Sequence, residues 1–308
     1  MMDGAERDLF VETLTRAIES ATGAALDAAL GEFGWREALA DDPATAVSVL
    51  FDQQGRAGSN SSALDAVVAH RLGVDEAVAV VLPPIGKTLV DTDGGRFAGL
   101  GTMALTSAER AVVVLGDQLV TVAIADLQQR SISGIDSDLG LVGVSGSIDA
   151  GAASTGADWT AACAAGHRAL AHELIGTART MLGFARDHAV DRIQFGQPIA
   201  AFQAIRHRLA DAYVAIEGAH EVAEAAWLDG TPLTAAGAKA VAGRSARTVA
   251  RHAQQVLAGI GFTTEHDLHR FIRRSMVLDS LLGDTRTLTR AMGADILRQR
   301  GLPPMQPL

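Results

Sequence analysis

The chain has one cysteine, Cys163, in 308 residues. That excludes an internal disulfide and a cysteine-built metal cage, and it fits a reducing compartment. An excess of positive charge is also missing: the formal net charge is −10, so neither nucleic acid nor an anionic membrane surface is an expected partner. No apolar run is long enough to span a bilayer, and MMDGAERDLF at the start lacks a basic segment followed by an apolar one. A cytoplasmic location is the expectation. Phosphate-loop spacings are absent, as neither G-x-x-x-x-G-K-[ST] nor G-x-G-x-x-G stands at a strand-to-helix junction. His167 and His172 are five apart, poor spacing for one helix face, and with no HExxH no metal site is expected. What is present is a hydrophobic content of 48%, enough to bury a large core in two or three subdomains.

The pattern changes twice along the chain. Residues 1–76 read as an N-terminal helical domain. Leu9, Leu14 and Ile18 lie on one side of a first helix, Val47, Leu50 and Phe51 follow Pro43, and Leu64, Val67, Val68 and Leu72 mark a third helix. Trp35, in GEFGWRE, reads as a buried anchor at a turn. Residues 77–150 form a small, reduced middle β domain of short runs such as AVAVVL, AVVVL and LVTVAI, separated by turn glycines. Gly151 to Gly156 reads as a linker. Residues 151–308 are a C-terminal helical bundle. Asp158 caps a helix to about Ala189 with Leu170, Leu174, Ala178, Met181, Leu182 and Ala185 inward. A second helix starts at Pro198, with Ile199, Phe202, Ile205, Leu209, Tyr213 and Ile216 inward. A third, alanine-rich helix runs from Thr234 to Leu257, and a shorter fourth begins at Leu268, giving four antiparallel helices.

The corner between the first two long helices reads DRIQFGQPIAAFQ, Asp191 to Gln203. Arg192 offers a planar fork of donors suited to phosphate, Phe195 an apolar face for an aromatic ring, Gly196 a tight turn, and Gln203 an amide at the helix start. Taken alone, these residues equally describe an ordinary helix corner with a surface arginine.

Together with the order helices, β domain, bundle, this corner resembles the acyl-CoA dehydrogenases, flavoproteins that oxidise the α,β bond of acyl-CoA thioesters. The family corner, approximately R-x-x-F-G followed by a glutamine, is matched by Arg192, Phe195, Gly196 and Gln203. A second signature, approximately Q-x-x-G-G-x-G-[FY]-x-x-E, is matched from Gln255 to Glu265 with Ala258 in place of the first glycine. The resemblance implies a mainly α fold with a small β domain, and FAD as cofactor. It places Arg192, Gln194, Phe195, Gln203, Gln255 and Gly259 across a subunit interface on the ADP part of the partner's FAD.

The departures are as informative. The family's base glutamate sits in a segment resembling Y-E-G-T-S-Q-I-Q-R, and the matching position here is Gly283; the alternative seat on the first bundle helix is Gly166. No catalytic residue is therefore assigned. Asp284 and Glu173 are the neighbouring carboxylates, Glu173 reading as a salt-bridge or surface residue. Between Ala77 and Ile148 there is neither a T-E-P-x-x-G-S-D segment nor any tryptophan or tyrosine to cradle the isoalloxazine. The resemblance thus implies the short, non-base subunit of a heteromeric acyl-CoA dehydrogenase, like those of actinobacterial α2β2 enzymes of steroid catabolism. Its expected partners are a full-length subunit carrying the glutamate, an acyl-CoA bound in that partner, and an electron acceptor. Two alternatives stay open: a divergent homomeric dehydrogenase using Asp284, and a non-enzymatic helical scaffold.

Overall fold

A computed structural model describes residues 4–74, 76–148 and 152–300. Five helices come first: α1 (Gly4–Ser20), α2 (Ala24–Phe33), α3 (Trp35–Asp41), α4 (Pro43–Ala57) and α5 (Ala63–Arg71). Asp42 accepts from the Thr45 amide just ahead of Pro43, so cap and N1 proline together start α4 as the sequence predicts. Leu14 and Ile18 are buried, but Leu9 is exposed. Gly34, left-handed, ends α2, and Trp35 opens α3 instead of sitting in the turn; its ring is buried and its Nε1 donates to the Ala46 carbonyl.

Eight strands follow: β1 (Ala79–Val80), β2 (Asp91–Asp93), β3 (Arg96–Gly101), β4 (Arg110–Leu115), β5 (Gln118–Ala123), β6 (Gln128–Ser131), β7 (Val142–Ser147) and β8 (Ala152–Thr155). They form two four-stranded sheets, in the orders β1-β4-β5-β8 and β2-β3-β7-β6. Their alternating residues bury Ala79, Val81, Phe97, Val113, Val120, Val122 and Val144 between them. Residues 152–155, expected in a linker, are instead an edge strand paired with β5 from Gln118 to Thr121. The small side chains of AAST do not prevent pairing, because ladder hydrogen bonds come from backbone alone.

The rest is helical apart from one corner. α6 (Trp159–Asp191) is capped by Asp158, which accepts from the Ala161 amide at 2.9 Å. The chain then makes a two-stranded corner, β9 (Ile193–Gln194) with β10 (Gln197–Pro198), and a 3₁₀ turn over Ile199–Ala201 before α7 (Gln203–Asp229). Pro198 is therefore in the corner, not at N1, and the helix begins at Gln203. Tyr213, expected inward, is exposed, while Ile216 is buried. α8 (Pro232–Leu257) returns antiparallel to α7 across Gly230 and Thr231 and ends in a 3₁₀ turn over Ala258–Phe262. α9 (Leu268–Ser280) is followed by a further helix not read from the sequence, α10 (Thr285–Gln299), which packs on α8.

α6 is the axis of the molecule, packed against α4, α5, α7, α8 and α9. Against α4 the contact is backbone to backbone: a Cβ on Gly55 would lie 2.1 Å from the Glu173 carbonyl, and one on Gly176 2.1 Å from that of Asp52. Glycine is required at both positions by this approach. Among the described residues, no helix is long and apolar enough to cross a membrane.

Candidate functional site

Two parts of the chain carry the residues singled out from the sequence, and they lie at opposite ends of α6. At its C-terminal end, the corner points outward. Arg192, Gln194 and Gln203 are exposed, and Phe195 is 91% exposed with φ +55. The Arg192 guanidinium makes no hydrogen bond or ion pair among the described residues. Phe195 touches the edge of Phe202, ring centroids 6.0 Å apart, which leaves most of its ring face free.

The second motif is brought to the same end. His252 on α8 lies within electrostatic reach of Arg208 and Asp211 on α7, so in this antiparallel pair the start of α7 is level with the end of α8. His188, in the last turn of α6, feels both Arg192 and His266 beyond α8. Gln255 and Gly259 are exposed there, beside the exposed ring of Phe262. Nothing lies within 4 Å of where a Cβ would stand on Gly196 or Gly259. Backbone amides at both glycines are thus open to close approach by a ligand, as a diphosphate requires. Ala258, where glycine is usual, has φ +52 and ψ −132, a conformation that favours glycine.

At the N-terminal end of α6 the two glycines in the base positions come together, and the space between them is filled. A Cβ on Gly166 would lie 2.4 Å from Leu282 Cδ1, with Val68 and Leu64 of α5 next to it. Leu282 is fully buried at φ +54, an unfavourable backbone conformation for leucine. His167 Nε2 donates to the Leu282 carbonyl at 2.8 Å. Burial lowers the pKa of His167 to about 4, so the ring is neutral and the proton sits on the donating nitrogen. Lys239, with no exposed surface, donates to the carbonyls of Asp279 and Gly283 at 2.7 Å each. Burial lowers its pKa to about 8. Gly283 has φ +94 and lies against Thr88 and Leu288. The turn that would present a base instead inserts a leucine side chain over Gly166.

Both neighbouring carboxylates have places of their own in the fold. Asp284 is the N-cap of α10: its Oδ1 accepts from the Thr287 amide at 2.6 Å, and that hydrogen bond lowers its pKa. A carboxylate held ionised by a cap is a weak proton acceptor. Glu173 is neither a surface residue nor an ion-pair partner; it is 2% exposed, sealed behind the α4–α6 contact, with its pKa raised to about 7 by burial against the charge of Arg274. This burial was hidden from the sequence because it depends on Gly55 and Gly176 each admitting the backbone of the facing helix.

Residues 155–297 match the family described as acyl-CoA dehydrogenase, C-terminal domain. The chain is 38% identical over 127 residues to acyl-CoA dehydrogenase IpdE2 of Mycobacterium tuberculosis, covering 41% of this chain and 40% of that protein. To acyl-CoA dehydrogenase IpdE2 of Mycolicibacterium smegmatis it is 28% identical over 312 residues, covering 94% and 99%. Among solved structures, the ChsE4-ChsE5 complex from Mycobacterium tuberculosis aligns with TM-score 0.77 at 21% identity, covering 99% of each chain. The Tcur3481-Tcur3483 steroid ACAD aligns with TM-score 0.75 at 21% identity, covering 96% of each. At these identities the structures establish the shared fold: a helical bundle behind a small β portion.

Proposed function

We propose that this chain, whose residues 155–297 match the acyl-CoA dehydrogenase C-terminal domain, is the non-base subunit of a heteromeric, FAD-dependent member of that family. The observation that carries this reading is the contrast along α6: an open, unpartnered arm at one end and a filled base position at the other. Arg192 places a fixed positive charge on the FAD diphosphate, Phe195 and Gln203 lie against the adenosine region, and the Gln255–Gly261 turn brings backbone to the phosphates. Gln194 extends the corner's edge. When bound, FAD supplies the hydride acceptor for α,β-dehydrogenation of an acyl-CoA. An arm this exposed needs a second chain to enclose the ligand.

The partner is a full-length subunit that supplies the isoalloxazine pocket and the glutamate, binds the acyl-CoA and passes electrons to an acceptor. A steroid side-chain or ring-fragment CoA ester is the proposed substrate class, resting on the sequence resemblance to the short subunits of steroid catabolism. The homomeric alternative loses its candidate base, because Asp284 is committed to capping α10.

The test is FAD content and stoichiometry of the chain expressed alone, then with a full-length dehydrogenase subunit encoded beside it. One FAD per pair, and none on the chain alone, is the expected result. A yellow homo-oligomer with one FAD per chain would overturn it. Arg192→Ala should leave the melting temperature of the chain unchanged and weaken FAD retention in the complex by roughly tenfold or more, the worth of a charge-assisted contact. Unchanged retention would favour a scaffold without a cofactor role.

A further inference from the structure

A third cluster lies midway along α6, away from both ends. His172 projects from α6 toward α7, where His220 and Glu224, one helical turn apart, share a face. One ligand atom from each lies within 4.8 Å of the other two. The sequence reading considered His172 only with its neighbour His167; the fold instead turns His167 to Leu282 and His172 to α7.

The surroundings leave these donors short of partners. His220 Nδ1 is shielded from solvent and makes no hydrogen bond. Glu224 makes no hydrogen bond or ion pair among the described residues. Small buried side chains, Ala219, Ala223 and Ala226, surround them on α7 and offer nothing polar. Glu224 is in reach of water, but the shielded His220 nitrogen beside a second imidazole is left unpaired and calls for an explanation. His172 is 2% exposed, so its imidazole is held away from water on the α7 side of α6. Asp52 and Arg179, the charged residues that reach it, pair with each other.

We propose that His172, His220 and Glu224 bind a divalent transition metal of the zinc type. Two imidazoles and one carboxylate are a recurrent zinc set with the fourth position left to water, whereas calcium and magnesium require oxygen donors. Ligand atoms around tetrahedral zinc stand about 3.4 Å apart, so closure by little more than ~1 Å, within reach of side-chain torsions, completes the site. Without metal, Trp227 Nε1 donates to His172 Nε2 at 3.1 Å. This indole fixes the tautomer and orientation of the His172 ring, so metal binding that turns or engages the ring makes Trp227 both competitor and reporter.

The test uses the purified chain, alone or in its complex, stripped with chelator and titrated with Co²⁺ and then Zn²⁺. The expected result is one equivalent of Co²⁺ with visible d–d absorption, displaced by Zn²⁺, and a fluorescence change lost in Trp227→Phe. That variant should bind at least as tightly as the parent. His220→Ala should weaken binding at least ~100-fold, with Glu224→Gln as the second variant should the first fail to fold. No absorption at millimolar Co²⁺, or absorption unaltered by both substitutions, would overturn the proposal.

Discussion

The two ends of α6 treat the same kind of sequence feature in opposite ways. At Gly166 the glycine makes room that the chain itself fills with Leu282, and the buried side chains that hold this turn are satisfied: His167 on one carbonyl, Lys239 on two. At Gly196 the glycine turns a strand corner into solvent, beside an aromatic ring that touches only the edge of Phe202 and a guanidinium with no hydrogen bond or ion pair among the described residues. Internal satisfaction marks the first end as structure. Its lack at the second is what the proposed interface rests on, since burying Phe195 alone would contribute about 2 kcal/mol. A glycine in a motif therefore reports close approach without saying whether the approaching group belongs to the chain or to a ligand.

The largest effect expected to break this contrast is Gly166→Glu, which puts a carboxylate back in one family position. The new Cβ overlaps Leu282, and the charge is buried among leucine and valine, so the change should cost roughly 3–5 kcal/mol. Chemical denaturation with coincident fluorescence and circular dichroism transitions measures it. A variant as stable as the parent would mean that the end is roomy, and the filled-site reading would fail.

Lys239→Met ranks next. The thioether fills the same volume but leaves the carbonyls of Asp279 and Gly283 without a donor inside the bundle. A loss of about 2–4 kcal/mol is expected. Its particular signature is faster hydrogen exchange from Leu281 to Asp284, since Lys239 ties that turn to α8. Exchange unchanged in this turn would show that Leu282 is held by packing alone.

How much of this was legible beforehand follows the physics of each feature. Asp158, Pro43 and the inward stripe of α6 were readable, because caps and periodicity are local. The arm could be located because its residues are close in sequence and matched a known corner. Its local geometry was misjudged: Pro198 serves a β corner and not a helix start, a choice made by pairing with Ile193. The filling of Gly166 by Leu282 was out of reach, being a contact between residues far apart in the chain. So was the burial of Glu173. The pairing of His172 with α7 was likewise missed, because helical spacing tests one helix at a time.

The smallest expected effect sharpens the contrast at the open end. Ala258 stands at φ +52, ψ −132 where the family motif has glycine, so it carries backbone strain of about 1–3 kcal/mol. Ala258→Gly removes that strain while adding up to about 1 kcal/mol of unfolded-state entropy. The net gain should be about 1 kcal/mol, seen as a rise of roughly 2 °C in melting temperature. The same change opens the turn before Gly259, so FAD retention in the complex should hold or improve. If stability falls instead, the turn is unstrained in solution, and the alanine reflects a rearranged end of α8. A rise with retained FAD would mean that the arm tolerates strain to keep its outward shape, whereas the strain at Leu282 serves to close the other end of α6.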